Sequence, residues 1–251
     1  MIELLNFTIG FGNRTLLNNV STTFKEGALT ALIGRNGCGK STLLRAIMGL
    51  GNNYAGTIKI DGHNINTIPR DNLARLVSYV NTMRPRVANI TCFDIVALGR
   101  SLYTDWIGNL STADREAVEK ALDMVGMKGY AQRHLNTLSD GECQRVMIAR
   151  AIAQDTKIII LDEPTSFLDM PNRYEIVSLL KALSTEKGKT VVFSTHELDI
   201  AVNMSNSIAL IDSETMYNLP VKEMIDSGHI QRLFHTPDNF IDRLLGAISN
   251  Q

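Results

Sequence analysis

The sequence predicts an α/β fold with a mostly parallel core sheet, an N-terminal antiparallel β portion and a helical subdomain. Apolar runs of strand length alternate with helix-like segments along most of the chain, as in parallel sheets that are covered on both faces. Residues 2–9 and 20–24 alternate apolar and polar side chains on either side of a short turn, which is typical of antiparallel strands. A helical pattern begins near residue 90 and interrupts the strands, which indicates a separate lobe.

The composition suits one large domain. The chain has 251 residues, of which 44% are hydrophobic, and its formal net charge is −1. This charge gives no global attraction to nucleic acid or anionic lipid. It therefore disfavours a main function in binding either of them. Three scattered cysteines favour a reducing cytoplasm over a disulfide framework or a zinc site. No signal peptide is visible, and no apolar run approaches the ~20 residues of a membrane span, so we expect any work at a membrane to pass through partners.

Local patterns predict the elements in chain order. Apolar runs indicate strands at 29–33, 56–60, 77–80, 157–161, 190–194 and 207–211, the last followed by a hairpin turn at 212–215. Helices are expected at 42–48, 70–76, 92–99 and 171–183, and after Ser111 and Ser139, which both open capping-box patterns. We expect a single domain over 1–251, with a core at about 1–89 and 157–220, a helical lobe at about 90–156 and short C-terminal helices at 221–251.

The most specific motif is a glycine loop that fits G-x-x-x-x-G-K-[ST] at every fixed position, namely Gly34, Arg35, Asn36, Gly37, Cys38, Gly39, Lys40, Ser41 and Thr42. It lies between a predicted strand and a predicted helix. Glycines let the backbone N–H groups point inward, and the helix dipole adds partial positive charge, so the loop can cradle phosphate. Lys40 would then reach the outer phosphates, and the Ser41 hydroxyl would ligate Mg²⁺. The alternative is a glycine turn that serves only strand–helix geometry.

Polar residues follow two of the apolar strands. Asp162 and Glu163 come after 158–161, and His196 comes just after 190–194. In an open α/β sheet ligands bind beyond the carboxyl ends of the strands, so Asp162 could hold Mg²⁺ with Ser41 and Glu163 could polarise an attacking water. His196 could donate a hydrogen bond to a γ-phosphate. The alternatives are a solvated pair of carboxylates and a structural histidine.

The segment 138–142 supports two interpretations. Ser139 and Glu142 have capping-box spacing, which requires no ligand. A helix N-terminus that carries Ser and Gly is also a second anion site. Both interpretations can hold at once.

These motifs resemble, in order and spacing, those of ATP-binding-cassette (ABC) ATPases, and the resemblance covers nearly the whole chain. It assigns the Walker A, signature, Walker B, D-loop and H-loop motifs to 34–42, 138–142, 158–163, 166–169 and His196. The resemblance implies the ABC ATPase variant of the P-loop NTPase fold, an ATPase activity, and ATP and Mg²⁺ as cofactors. It also implies a head-to-tail dimer with a second copy of the chain.

The same resemblance implies contacts to the nucleotide. Phe11 takes the position of the aromatic residue that stacks on adenine, although alone it could be a hydrophobic residue beside a turn. Ser139, Gly141 and Glu142 would bind the γ-phosphate that Lys40 of the other copy holds. The glycine loop would therefore be half of a site, completed by the partner.

Two further segments, 94–100 and 194–201, are similar to importers of iron–siderophore, haem and vitamin B12 complexes. This similarity implies two integral membrane permease subunits gripped by the helical lobe, and a periplasmic or lipid-anchored substrate-binding protein that acts indirectly. It places the chain at the cytoplasmic face of the bacterial inner membrane, with no nucleic acid partner. The alternatives are a soluble ABC ATPase of DNA repair or translation, and a transporter ATPase for another substrate.

Some residues depart from the family pattern. Thr82 stands where a glutamine is usual, and its hydroxyl can offer an oxygen to Mg²⁺ or water with a shorter reach. Asp140 and Glu142 add two carboxylates to the signature, which are unfavourable near a γ-phosphate unless they point away or pair with arginines of the same helix. Cys38 lies at a helix N-terminus, where we expect a lowered thiol pKa.

Overall fold

The structure is a computed structural model that describes residues 1–51, 53–81, 89–105 and 107–234. The described strands are β1 (Ile2–Phe11), β2 (Arg14–Phe24), β3 (Leu29–Gly34), β4 (Tyr54–Ile60), β5 (His63–Asn64), β6 (Val77–Val80), β7 (Ile158–Leu161), β8 (Thr190–Ser194), β9 (Ser207–Asp212) and β10 (Thr215–Pro220). The described α-helices are α1 (Lys40–Ile47), α2 (Arg70–Leu76), α3 (Cys92–Ala97), α4 (Thr112–Met124), α5 (Asp140–Ala153), α6 (Met170–Thr185), α7 (Leu198–Met204), α8 (Val221–Asp226) and α9 (His229–Phe234).

The chain divides into two compact units. The first consists of Met1–Ile68 with Lys181–Gln251, and the second is Pro69–Leu180. The domain boundaries expected from the sequence stay a prediction. Two short helices occupy 221–234, and the rest of the predicted C-terminal helical segment lies outside the described residues.

An antiparallel sheet of the first unit has the strand order β2-β1-β4-β5. Its middle strand, β1, buries alternate apolar side chains and carries a bulge at Asn6, whose φ is 48°. Opposite the bulge, Gly56 has a φ of +88°, and a Cβ there would lie 2.3 Å from the Asn6 carbonyl oxygen. A glycine is therefore required where β4 crosses the bulge.

The other strands of the first unit form the mostly parallel arrangement that the apolar runs predict. Strand β3 is buried along all six residues and pairs in parallel with β8 and β9, while β10 pairs antiparallel with β9. The hairpin predicted at 212–215 joins these last two strands. Because β3 and β8 run in the same direction, the glycine loop after β3 and His196 after β8 lie at the same edge, where the Thr195 N–H donates to the Leu32 carbonyl over 3.1 Å.

Helices α8 and α9 pack against β9 and β10 in the first unit. Pro220 precedes α8, which suits a residue without a free N–H. Met224, Ile230 and Leu233 are buried. The His229 ring stacks on Tyr217 of β10 with 3.8 Å between ring centroids.

The second unit contains the parallel pair β6–β7 and the predicted helical lobe. Helices α3 and α4 both begin with complete capping boxes, from Thr91 and Ser111, so these predicted starts are confirmed. Arg100 connects two helices of the lobe. It forms a 2.9 Å ion pair with Asp114 of α4 and donates a hydrogen bond to the Ala153 carbonyl at the end of α5. No α-helix among the described residues is long and apolar enough to cross a membrane.

Candidate nucleotide-binding site

The glycine loop closes on itself between β3 and α1. Lys40 is the first residue of α1, and its Nζ donates to the carbonyl oxygens of Gly34 (2.9 Å) and Arg35 (3.4 Å). The Cys38 N–H also donates to the Arg35 carbonyl over 3.2 Å. Gly39 has a φ of +106°, and a Cβ there would lie 3.0 Å from Leu16 Cβ. The strand, left-handed glycine turn and helix N-terminus that the motif predicts are therefore all present.

Residues of the loop face different surroundings. Asn36 and Gly37 are exposed at its tip, whereas Ser41 and Thr42 are half-buried in the first turn of α1. The Lys40 side chain is buried, with 7% of its surface exposed. Arg35 turns its guanidinium away to the C-terminal helices, where Nε and Nη2 donate to the Leu233 carbonyl.

Cys38 lines a cavity of 250 Å³ beside the loop, together with Arg14, Thr15, Leu16, Ile211, Ser213 and Glu214. Its Sγ lies 2.7 Å from where a Cβ on Gly34 would stand. Burial raises the pKa of the Cys38 thiol, against the smaller opposing effects of Lys40 and nearby backbone N–H groups. The expectation of a lowered thiol pKa is therefore wrong, because desolvation outweighs the helix N-terminus and the cation.

Two other predicted residues of the first unit are exposed. Phe11 ends β1 with 75% of its side chain exposed, an unusual placement for an aromatic residue and one suited to stacking on a planar ring. His196 follows β8 and is exposed at the same strand edge as the glycine loop. A hydrogen-bond donor there is accessible to a ligand.

Asp162 and Glu163 follow β7 in the second unit. Asp162 is 3% exposed, and its carboxylate accepts a 3.5 Å hydrogen bond from the Tyr79 hydroxyl. Glu163 has a φ of 49°, and its carboxylate accepts a hydrogen bond from the Ser166 hydroxyl over 3.1 Å. A left-handed glutamate beside a buried aspartate is a strained arrangement of the kind found at functional sites.

The signature segment opens α5 with a complete capping box. The Glu142 N–H donates to Ser139 Oγ (3.3 Å), and the Ser139 N–H donates to Glu142 Oε2 (2.8 Å). This second bond is the main cause of a lowered pKa at Glu142. The Glu142 carboxylate thus caps the N-terminus of its own helix. A Cβ on Gly141 would lie 3.1 Å from the Leu168 side chain, so this glycine lets 167–168 approach the helix closely.

The predicted site residues thus fall into two groups. The glycine loop, Phe11 and His196 belong to the first unit, whereas Ser139, Asp162 and their neighbours belong to the second. Thr82 lies outside the described residues. Sequence reasoning missed Leu16, which packs on Gly39, and Tyr79, which bonds Asp162. Leu16 is buried in β2 beside the buried Leu17, but no local pattern identifies its partner.

Comparisons with known proteins agree with these motifs. Residues 17–166 match the ABC transporter family. The achromobactin transport ATP-binding protein CbrD of Dickeya dadantii is 32% identical over 240 residues, which are 93% of this chain and 89% of that protein. The petrobactin import ATP-binding protein YclP of Bacillus subtilis is 35% identical over 235 residues, which are 93% of this chain and 92% of that protein.

Solved structures show the same fold. A metal-chelate type ABC transporter in an inward-facing conformation matches with a TM-score of 0.82 at 29% identity, covering 94% of this chain and 89% of the other. The ATP-binding cassette MJ0796, dimeric in a post-hydrolysis state with ADP and Pi, matches with a TM-score of 0.77 at 30% identity, covering 88% and 99%. The predicted fold class is confirmed. The chain belongs to the ABC transporter family, and it is an ATP-binding subunit that hydrolyses ATP.

Proposed function

We propose that this ATPase powers a bacterial importer for iron–siderophore, haem or vitamin B12 complexes. The observation that carries the proposal is similarity over 93% of the chain to ATP-binding proteins for achromobactin transport and petrobactin import. The likeness to a metal-chelate type transporter supports the same substrate class. The chain then works at the cytoplasmic face of the inner membrane, through partners.

The proposed nucleotide site begins with the glycine loop of the first unit. ATP phosphates lie on the N–H groups of 34–42, and adenine stacks on Phe11. Lys40 exchanges the carbonyl oxygens of Gly34 and Arg35 for phosphate oxygens. This exchange is supported by the closed form of the loop, in which Lys40 is held only by neutral carbonyl groups among its described hydrogen bonds.

A magnesium ion fits the residues that we propose to hold it. Ser41 and Asp162 offer a hydroxyl and a buried carboxylate, and oxygen ligands suit this ion. The described residues contain no cluster of three or more His, Cys, Asp or Glu side chains that could hold a metal. Bound Mg²⁺ neutralises charge on the transferring phosphate. Thr82 is proposed as a further ligand and lies outside the described residues.

Hydrolysis is assigned to two side chains. Glu163 orients the attacking water and accepts its proton, and the Ser166 hydroxyl that bonds Glu163 fixes the direction of the carboxylate. His196 donates a hydrogen bond to the γ-phosphate, where negative charge grows in the transition state. The exposure of His196 at the strand edge supports this role.

A second copy of the chain completes the site in the proposal. Ser139 and Gly141 contact the γ-phosphate held by the other copy, and Glu142 acts by fixing Ser139 through the capping box. The dimeric state of the MJ0796 cassette supports this arrangement. The helical lobe engages two permease subunits, and a substrate-binding protein delivers cargo outside the membrane.

The substitution Glu163→Gln tests the catalytic assignment. Loss of a general base lowers turnover about 100-fold or more while ATP still binds, so an ATP-bound dimer should accumulate. Phosphate release and size-exclusion chromatography with light scattering measure both effects. Glu186→Gln, at an exposed glutamate beyond α6, is the matched control. Wild-type turnover in Glu163→Gln would remove Glu163 from the mechanism.

Transport is tested separately by affinity purification from detergent-solubilised membranes. A co-purifying polytopic permease, reconstituted in liposomes with the chain, should take up an iron–siderophore, haem or corrinoid complex only with ATP. Retention of soluble repair or translation proteins instead, with no permease, contradicts the importer proposal.

A further inference from the structure

A side-chain contact links the glycine loop to the last described helix. Arg35 donates from Nε (3.1 Å) and Nη2 (2.8 Å) to the carbonyl oxygen of Leu233, 198 residues away in sequence. Leu233 lies near the end of the described part of α9, and its carbonyl oxygen carries partial negative charge as a backbone acceptor. A guanidinium is well suited to this acceptor, because a charged donor makes a stronger hydrogen bond than a neutral one.

Helix α9 is a fixed anchor for this contact. Ile230 and Leu233 are buried, with 0% and 5% of their surfaces exposed. The His229 ring stacks on Tyr217, and Arg232 Nη2 lies 2.8 Å from His229 Nδ1. Helix α9 is therefore held against β9, and its first residue is held against Tyr217 of β10.

The other end of the contact lies at the centre of the loop. The backbone carbonyl of Arg35 accepts hydrogen bonds from the Cys38 N–H and from Lys40 Nζ. Arg35 thus connects α9 to the loop. Its side chain bonds to Leu233, and its own backbone carbonyl bonds to Cys38 and Lys40. Both described hydrogen bonds of the guanidinium go to the Leu233 carbonyl of α9.

We propose that Arg35 is a positioning residue that couples α9 to ATP binding. It fixes the first half of the loop to the C-terminal helix, so a loop shaped for phosphate and an ordered α9 stabilise each other. Coupling between sites is reciprocal, so ATP bound at the loop should also order α9. The proposal rests on ATP binding by the loop and adds a regulatory connection to a helix outside the nucleotide motifs.

The first test compares three variants of the full chain by equilibrium ATP binding without divalent cations. Arg35→Met removes both donors and should weaken ATP binding about three- to ten-fold, within the range of a typical intramolecular hydrogen bond. Arg35→Lys keeps one donor and should recover part of the loss. Arg45→Met, at an exposed arginine in the last turn of α1, should bind ATP like the wild type. With Mg²⁺, Arg35→Met should raise the KM for ATP while kcat stays within about two-fold, because the side chain does not touch reacting atoms.

The second test distinguishes anchoring from direct attraction of phosphate. His229→Ala, with Leu233→Ala as a second variant, loosens α9. If Arg35 acts through α9, Arg35→Met costs less affinity in these backgrounds than in the wild type, and the effects are not additive. An equal loss in all backgrounds means that Arg35 attracts phosphate directly and overturns the proposal, as does wild-type affinity of Arg35→Met.

Hydrogen exchange supplies an independent measurement. ATP should slow amide exchange over 229–234 in the wild type and in Arg45→Met, and this protection should disappear in Arg35→Met. Protection that persists in Arg35→Met, or that is absent from the wild type, contradicts the coupling.

Discussion

Alkylation of Cys38 should be slow at neutral pH and should block ATP binding. Burial raises the thiol pKa above its ordinary value of 9.0, so less than about 1% of the side chain is thiolate at pH 7. Because the thiolate is the reactive form, the labelling rate should rise nearly ten-fold per pH unit from pH 6.5 to 8.5. The cavity beside the loop, at 250 Å³, admits a reagent as small as iodoacetamide.

The modified side chain has little room. Cys38 Sγ already lies 2.7 Å from the place of a Cβ on Gly34, so the added group must fill the cavity or displace the loop. Either outcome disturbs the N–H groups that we assign to phosphate, and bound ATP should protect the thiol in turn.

Mass spectrometry of iodoacetamide-treated protein, with and without ATP, measures the rate at each cysteine. Cys92 and Cys143 are buried and serve as slow internal references. In Cys38→Ser, treatment should leave ATP affinity at the variant's own value. A rate that levels off below pH 8 would show a lowered pKa and refute the burial argument. Equal Cys38 alkylation rates with and without ATP would show that bound nucleotide does not cover the thiol.

Two glycines and one aspartate give further predictions. Gly56→Ala should lower the free energy of unfolding, measured in urea titrations, by about 2–4 kcal/mol, because the new Cβ would clash with the Asn6 carbonyl. Gly62 also has a positive φ but lies in open space, so Gly62→Ala should lower it by only about 1 kcal/mol. Equal losses in the two variants would contradict the clash. Hydrogen bonds from Ser111 and then Arg100 lower the pKa of Asp114, so its stabilisation should be complete above the unfolded value of 3.8 and be lost as pH falls through the lower folded value. Asp114→Asn should lower stability at pH 7 and weaken this acid dependence, and an unchanged acid dependence would exclude the carboxylate.

Local patterns predicted the elements with short-range causes. The helix α2 at Arg70–Leu76 and the strand β8 at Thr190–Ser194 have the expected bounds, and both predicted serine caps form. Their signals are hydrophobic periodicity and a side chain that reaches a backbone N–H three residues away. The course of the glycine loop could also be predicted, because its left-handed turn and helix start come from glycines and a lysine at fixed positions of the motif.

Features that depend on distant residues were not predictable. The Arg35–Leu233 contact joins residues far apart in sequence, and neither has a local pattern that names the other. The thiol pKa of Cys38 was predicted in the wrong direction, because helix position is visible in a sequence whereas burial against Ile211 and the β9–β10 turn is not. The positive φ of Glu163 likewise follows from its surroundings, since glutamate itself does not favour that conformation.

The capping box at Ser139 bears on the assembly of the proposed dimer. Its hydroxyl oxygen accepts a hydrogen bond from the Glu142 N–H, and the Ser139 side chain also bonds to the Glu142 carboxylate. Both bonds of the capping box are made within the chain and require no ligand. The negatively charged Glu142 carboxylate accepts a hydrogen bond from the backbone N–H of Ser139. In the proposed dimer, this helix start is therefore already formed in each copy before the two associate.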